Sequence, residues 1–117
     1  MENTKEIRSV WYTDEFNLFY SELDERTKEK YKQGIDILKT IYVLSTKLVK
    51  KIVNTDLYKM RVSVGYNEYR TVLFATDHEN VIQATNIILL SGFLKKSSKD
   101  YDKHVKRAIN ILKKLEL

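Results

Sequence analysis

Cysteine and proline are absent from the 117-residue chain, and glycine occurs three times. Without thiols there is no disulfide framework, no thiolate nucleophile and no Cys-ligated zinc, and a reducing compartment, the cytoplasm, is the expected location. Scarce glycine and missing proline predict regular secondary structure with few long loops. Long apolar runs are missing as well. The longest, around Ile87–Leu90, is far short of the roughly 20 residues that cross a bilayer. The acidic segment Met1–Glu6 has no signal-peptide pattern, so neither membrane anchoring nor export is expected.

What is present points to a folded chain. Hydrophobic residues make up 43% and charged residues 32%, a balance that disordered tails do not have. The length of 117 residues corresponds to about one domain, expected over residues 1–117. The net charge of +5 is unevenly spread: residues 1–24 carry two basic side chains (Lys5, Arg8) and six acidic ones (Glu2, Glu6, Asp14, Glu15, Glu22, Asp24), leaving 19 basic against 10 acidic in the other 93. That asymmetry suits a polyanion such as RNA, or an acidic protein segment. A solvated lysine-rich helix surface explains it equally well.

Periodicity divides the chain in three. Residues Ile7–Thr13 alternate as a short strand with Trp11 in the core, and a helix starts near Thr13 with Phe16, Phe19, Tyr20 and Leu23 on one face. Asp24 reads as the cap of a second helix, Glu25–Tyr42, whose apolar stripe is Tyr31, Ile35, Leu38 and Tyr42. Ser45–Val53 reads as a further short helix. After Asn54 the period drops to 2 through Leu57–Val64, Tyr69–Thr76 and Val81–Gly92, an antiparallel meander joined by Gly65–Glu68 and Asp77–Asn80. Ser97 then caps a terminal helix to Leu117, with Tyr101, Val105, Ala108, Leu112 and Leu115 facing inward.

Strand alternation assigns the first hairpin's faces. Across a four-residue loop, Met60, Val62 and Val64 share a core face with Tyr69, Thr71, Leu73 and Ala75. Lys59, Arg61 and Ser63 share the other with Arg70, Val72 and Phe74, which makes Arg61 and Arg70 diagonal neighbours. Like charges so close are unfavourable unless an anion sits between them or carboxylates pair with them. Beyond the third strand, Gly92 permits close backbone approach, Phe93 offers a ring to a base, and Lys95 and Lys96 add charge. The same pattern also suits a strand-ending glycine followed by solvated lysines.

The run Leu57-Tyr58-Lys59-Met60-Arg61-Val62-Ser63-Val64-Gly65, followed by Glu68-Tyr69-Arg70 and by Leu89-Leu90-Ser91-Gly92-Phe93-Leu94-Lys95-Lys96-Ser97, resembles the RelE/ParE superfamily, closest to its HigB-like, phage-derived branch. Leu23-Asp24-Glu25-Arg26-Thr27 and Leu48-Val49-Lys50-Lys51-Ile52 are similar to helical and pre-strand segments of that branch. The resemblance implies an α+β fold: an antiparallel sheet of about three to four strands, N-terminal helices packed on one face, and a C-terminal helix. It implies the toxin half of a type II toxin-antitoxin pair, cutting the A-site codon of mRNA on the ribosome and held in check by a neighbouring antitoxin, expected to be of the helix-turn-helix type. It would place Lys59, Arg61, Arg70, Lys95, Lys96 and Tyr101 in the catalytic set, with Phe93, Lys99 and Ser63 touching RNA.

These residue types suit RNA cleavage, in which the ribose 2′-hydroxyl attacks phosphorus and the site must stabilise negative charge and move protons. Arginines do the first. Lys59 becomes a base only if neighbouring positive charge lowers its pKa. The two histidines, His78 in a turn and His104 on the terminal helix, do not form the pair of a free ribonuclease, and Asp77-His78-Glu79 reads as turn chemistry rather than a metal site. No metal and no cofactor is expected, and a weak acid-base set suits an enzyme whose substrate the ribosome orients. Two rivals remain: a ParE-like toxin that poisons gyrase, and a non-enzymatic module that holds phosphates.

Overall fold

The computed structural model describes residues 5–115. Its elements are β1 (Ser9–Tyr12), α1 (Asp14–Ser21), α2 (Glu25–Thr40), β2 (Val49–Lys51), β3 (Tyr58–Val64), β4 (Asn67–Ala75), β5 (Asn86–Leu94) and α3 (Ser98–Lys114). The five strands form one sheet in the order β1-β5-β4-β3-β2. It is antiparallel throughout except that β1 runs parallel to β5. The α+β class holds, and the sheet gains an edge strand on each side of the expected meander.

Each helix begins where a side chain satisfies its free N–H groups. Thr13 accepts from Phe16 N at 3.0 Å while its hydroxyl donates to Leu90 O at 2.6 Å, which fixes α1 to β5. Asp24 accepts from Thr27 N at 2.8 Å and Ser97 from Asp100 N at 3.1 Å. Helices α1 and α2 cover the sheet face that carries Met60, Val62, Val64, Leu73 and Leu89, enclosing Phe16, Tyr31 and Leu38. On the opposite face α3 lays Val105, Ala108 and Ile111 against Val72, Leu90 and Phe93.

Several expectations need correction. Ser45–Val53 is not a helix: one turn closes onto Ser45 O, and Val49, Lys50 and Lys51 then pair with Met60, Lys59 and Tyr58. Leu48 and Ile52 are one helical turn apart in sequence, but the β-branched Val49, Ile52 and Val53 suit a strand edge better. Trp11 is 59% exposed, because β1 is an edge strand of the sheet. Helix α2 ends at Thr40, and β5 begins at Asn86 rather than Val81 because the Asp77 carboxylate accepts from both Thr85 N and Asn86 N at 3.0 Å. Leu115 lies past the end of α3 and is 39% exposed, and the expected extension to Leu117 falls partly outside the described residues.

Arg8 is buried to 2% exposure with no carboxylate partner among the described residues. Its guanidinium instead donates to five main-chain carbonyls, those of Leu38, Ile41, Tyr42, Val81 and Ile82, at 2.6–3.2 Å. A cation at the C-terminal end of α2 is favoured by the helix dipole, and this one ties that end to the loop before β5.

Candidate nucleic-acid interface

The β3–β4 turn is tighter than expected, and this sets the site. Gly65 takes a φ of +60°, and Val64 pairs directly with Asn67, leaving two residues in the turn. The register slides by two residues relative to a four-residue loop. The faces are preserved, but Arg61 and Arg70 become direct cross-strand partners rather than diagonal ones, with Phe93 of β5 beside Arg70.

Arg70 is 7% exposed, and its Nη1 donates to Tyr69 O at 3.0 Å and reaches Glu68 Oε1 at 3.4 Å. The Nε of Arg61 is buried without a hydrogen-bond partner, as is the Ser91 hydroxyl. An unpaired buried donor is costly. Lys59 Nζ lies 5.0 Å from the centre of the Tyr101 ring, a cation–π arrangement that joins β3 to α3. Lys50, directly across from Lys59 on β2, adds a further cation. Reading residues 45–53 as a helix hid that one.

Electrostatics follow from this crowding. Burial first, then the charges of Arg61, Arg70, Lys50 and Lys95, hold the Lys59 ammonium below its ordinary pKa. Burial lifts the Tyr101 phenol above its ordinary value, although Arg70 and Arg61 pull the other way. The Glu68 carboxyl is held low, chiefly by a hydrogen bond from Ser63 and then by Arg70 and Lys95. Near neutral pH the site therefore presents a lysine readier than usual to lose its proton, a protonated phenol, and two arginines.

Lys59, Arg61, Arg70, Lys95 and Tyr101 are thus brought into one electrostatic neighbourhood. Lys96 and Lys99 are exposed around the start of α3 and make no ion pair among the described residues. Ser63 is exposed and pairs across the ladder with Glu68. Phe93 departs from expectation. Its ring is 4% exposed and lies 4.0 Å from the His104 ring at an interplanar angle of 5°, with Tyr101 at 6.0 Å, so it is not open to stack on a base. The aromatic wall is Tyr101. His104 in turn contacts Asp100 at 3.4 Å. Gly92 does permit a close approach, but the visitor is Phe19 of α1: a Cβ at position 92 would lie 2.3 Å from its ring. His78 serves its turn, Nδ1 accepting from Asn80 N at 2.9 Å.

Arg61 and Ser63 line a small depression of 180 Å³ against Lys30, Gln33 and Gly34 of α2. Roomier depressions lie elsewhere, between α1 and α2 (410 Å³) and beside Asp77–Glu79 (480 Å³). A patch of cations suits a polyanion.

The fold is that of the RelE toxins. A variant of Escherichia coli RelE with two arginines replaced by alanine, in the free state, matches with a TM-score of 0.58 at 16% identity, covering 86% of this chain and 97% of that one. The isolated E. coli RelE toxin matches with a TM-score of 0.51 at 19% identity, over 84% of this chain and 95% of that one. No curated protein matches in sequence. Residues 18–113 match the family described as Phage derived protein Gp49-like, and the chain belongs to that family, a RelE/HigB-like branch of the RelE superfamily of toxins.

Proposed function

We propose that this toxin of the RelE type is a ribosome-dependent endoribonuclease that cuts mRNA in the A site, acts in the cytoplasm without a metal ion, and is silenced by an antitoxin, which we take to be of the helix-turn-helix kind. The observation that carries this reading is the direct opposition of Arg61 and Arg70, where among the described residues the Arg61 Nε is unbonded and one carboxylate, Glu68, reaches Arg70. Two forks on one sheet face match a phosphodiester's non-bridging oxygens.

In the proposed reaction Lys59, as the free amine, takes the proton of the ribose 2′-hydroxyl. The 2′-oxygen then bonds to phosphorus as the bond to the leaving 5′-oxygen breaks. Arg61 and Arg70 stabilise the charge that builds on the phosphoryl oxygens, and the Tyr101 phenol, or the Lys59 ammonium just formed, returns a proton to the leaving oxygen. Lys95, Lys96, Lys99 and Ser63 would contact the flanking backbone. With this weak acid-base set the ribosome supplies the substrate's orientation.

Toeprinting of a message in a reconstituted translation reaction tests this, comparing the protein with Arg61→Ala and Arg70→Ala and with ribosomes omitted. Scission inside the A-site codon that requires ribosomes and disappears in both variants is the expected result. An intact message overturns the proposal, and a gyrase supercoiling assay then becomes the next measurement.

A further inference from the structure

The outer face of α3 carries a charge pattern of which the proposed cleft uses only Lys99, at its start. Lys99, Lys103, Lys106, Arg107, Lys113 and Lys114 are all exposed. At 100° per residue they fall within an arc of ~120°, with Asn110 the one uncharged residue among them, along ~22 Å of helix. The ion pairs among the described residues are Lys28–Glu25, Arg70–Glu68 and His104–Asp100, so none of the six is matched there. Cations at spacings of three and four, as in Lys99/Lys103 and Lys103/Lys106/Arg107, work against a helix. The exposed side of α2 differs, since there Lys28, Lys32 and Lys39 are interspersed with Glu25, Glu29 and Asp36.

We propose that this face of α3 is a second RNA surface, which lies along the phosphate backbone of double-stranded RNA without reading its sequence, as structured ribosomal RNA would present it. An acidic protein partner is the competing occupant. Protein interfaces are anchored by apolar and aromatic side chains, but the apolar residues Val105, Ala108 and Ile111 are buried against the sheet and the stripe itself contains none. A row of cations that is unpaired among the described residues and lacks an apolar anchor favours phosphates. The inference deepens the proposed function, since it gives the toxin a grip on the ribosome, yet duplex binding does not require cleavage.

The test is fluorescence anisotropy with a labelled RNA duplex of about 20 base pairs, titrated with the full chain between about 50 and 300 mM salt. In the variant Lys103→Gln/Lys106→Gln/Arg107→Gln, affinity near 100 mM salt should fall about tenfold or more, and the slope of log K against log salt should flatten by roughly 2 to 3. Lys103→Arg/Lys106→Arg keeps the charge and should bind as the parent does. Lys113→Gln/Lys114→Gln, at the far end, should weaken binding independently, and Arg61→Ala in the cleft should leave the α3 contribution intact. Circular dichroism checks that each variant keeps its helix. Glutamine variants that bind the duplex like the parent overturn the proposal. So does a parent that ignores the duplex while the glutamine variants lose only the antitoxin, which would make the stripe a protein surface. Duplex binding without A-site scission removes the nuclease reading alone; scission without α3-dependent duplex binding removes this one alone.

Discussion

Arg61 and Arg70 stand directly opposite each other across the β3–β4 ladder, and Glu68 reaches only Arg70, at 3.4 Å. Facing like charges and an unbonded Arg61 Nε both disfavour the folded state. Arg61→Met should therefore stabilise the protein by about 0.5–1 kcal/mol while reducing cleavage on the order of 100-fold. Thermal melts at low and high salt check the first part, and the gain should shrink as salt screens the repulsion. A variant that melts below the parent would mean that Arg61 has a stabilising partner after all.

Lys59 gives the site its pH dependence. Its folded pKa lies below the ordinary 10.5. Below the folded value the ammonium is present in both states and its penalty persists. Between the folded value and 10.5 the unfolded chain binds more protons, so stability rises with pH in that window. Cleavage should rise with pH as well, since the amine form is the base, and Lys59→Arg should abolish the rise and most of the activity. Single-turnover rates on programmed ribosomes over the neutral to mildly alkaline range provide the check. A flat profile with an active Lys59→Arg variant rules out lysine as the base.

Tyr101 should act through its hydroxyl. Tyr101→Phe keeps a ring for Lys59 to sit on and should leave the melting temperature nearly unchanged. Cleavage should drop roughly 10- to 100-fold if the phenol is the proton donor. Equal rates for the two proteins would assign that role to Lys59 alone.

Gly92→Ala tests packing rather than chemistry. The added methyl would meet the Phe19 ring at 2.3 Å, and overpacking of this kind costs about 1–3 kcal/mol. The melting temperature should fall by several degrees. Phe19→Leu in the same chain should recover part of the loss, and a fully additive double variant would show that the two positions do not compete for space.

Arg8→Met keeps bulk and removes every donor. Five carbonyls on two segments would lose their partner, a loss of about 3–5 kcal/mol by analogy with breaking a buried charged network. Chemical denaturation measures it directly.

Local signals in the sequence carry the strand faces and the helix starts. Period-2 alternation assigned both faces of β3 and β4, and Asp24 and Ser97 were identified as helix caps from their side chains alone. The site arginines followed from that alternation, because a two-residue slip in register preserves a strand's faces. What failed depended on distant partners. β2 exists because Val49 finds Met60, Trp11 is exposed because β1 lies at an edge, and Phe93 is closed off because His104 comes to lie on it from another element. Arg8 gave no signal at all. A buried cation whose partners are all main-chain carbonyls leaves no complementary residue in the sequence to point to it.

The clamp around Arg8 also has a kinetic side. Its five bonds join residues 30, 33, 34, 73 and 74 positions apart, and β1 itself pairs with β5 through Ser9 and Asn86. Contacts over such loops are slow to close, while the β3–β4 hairpin is local. Interactions that form after the folding barrier is crossed act on the rate of unfolding rather than of folding. Arg8 is thus placed to set how long a folded molecule persists, leaving the time it takes to form to the hairpin that carries the arginines.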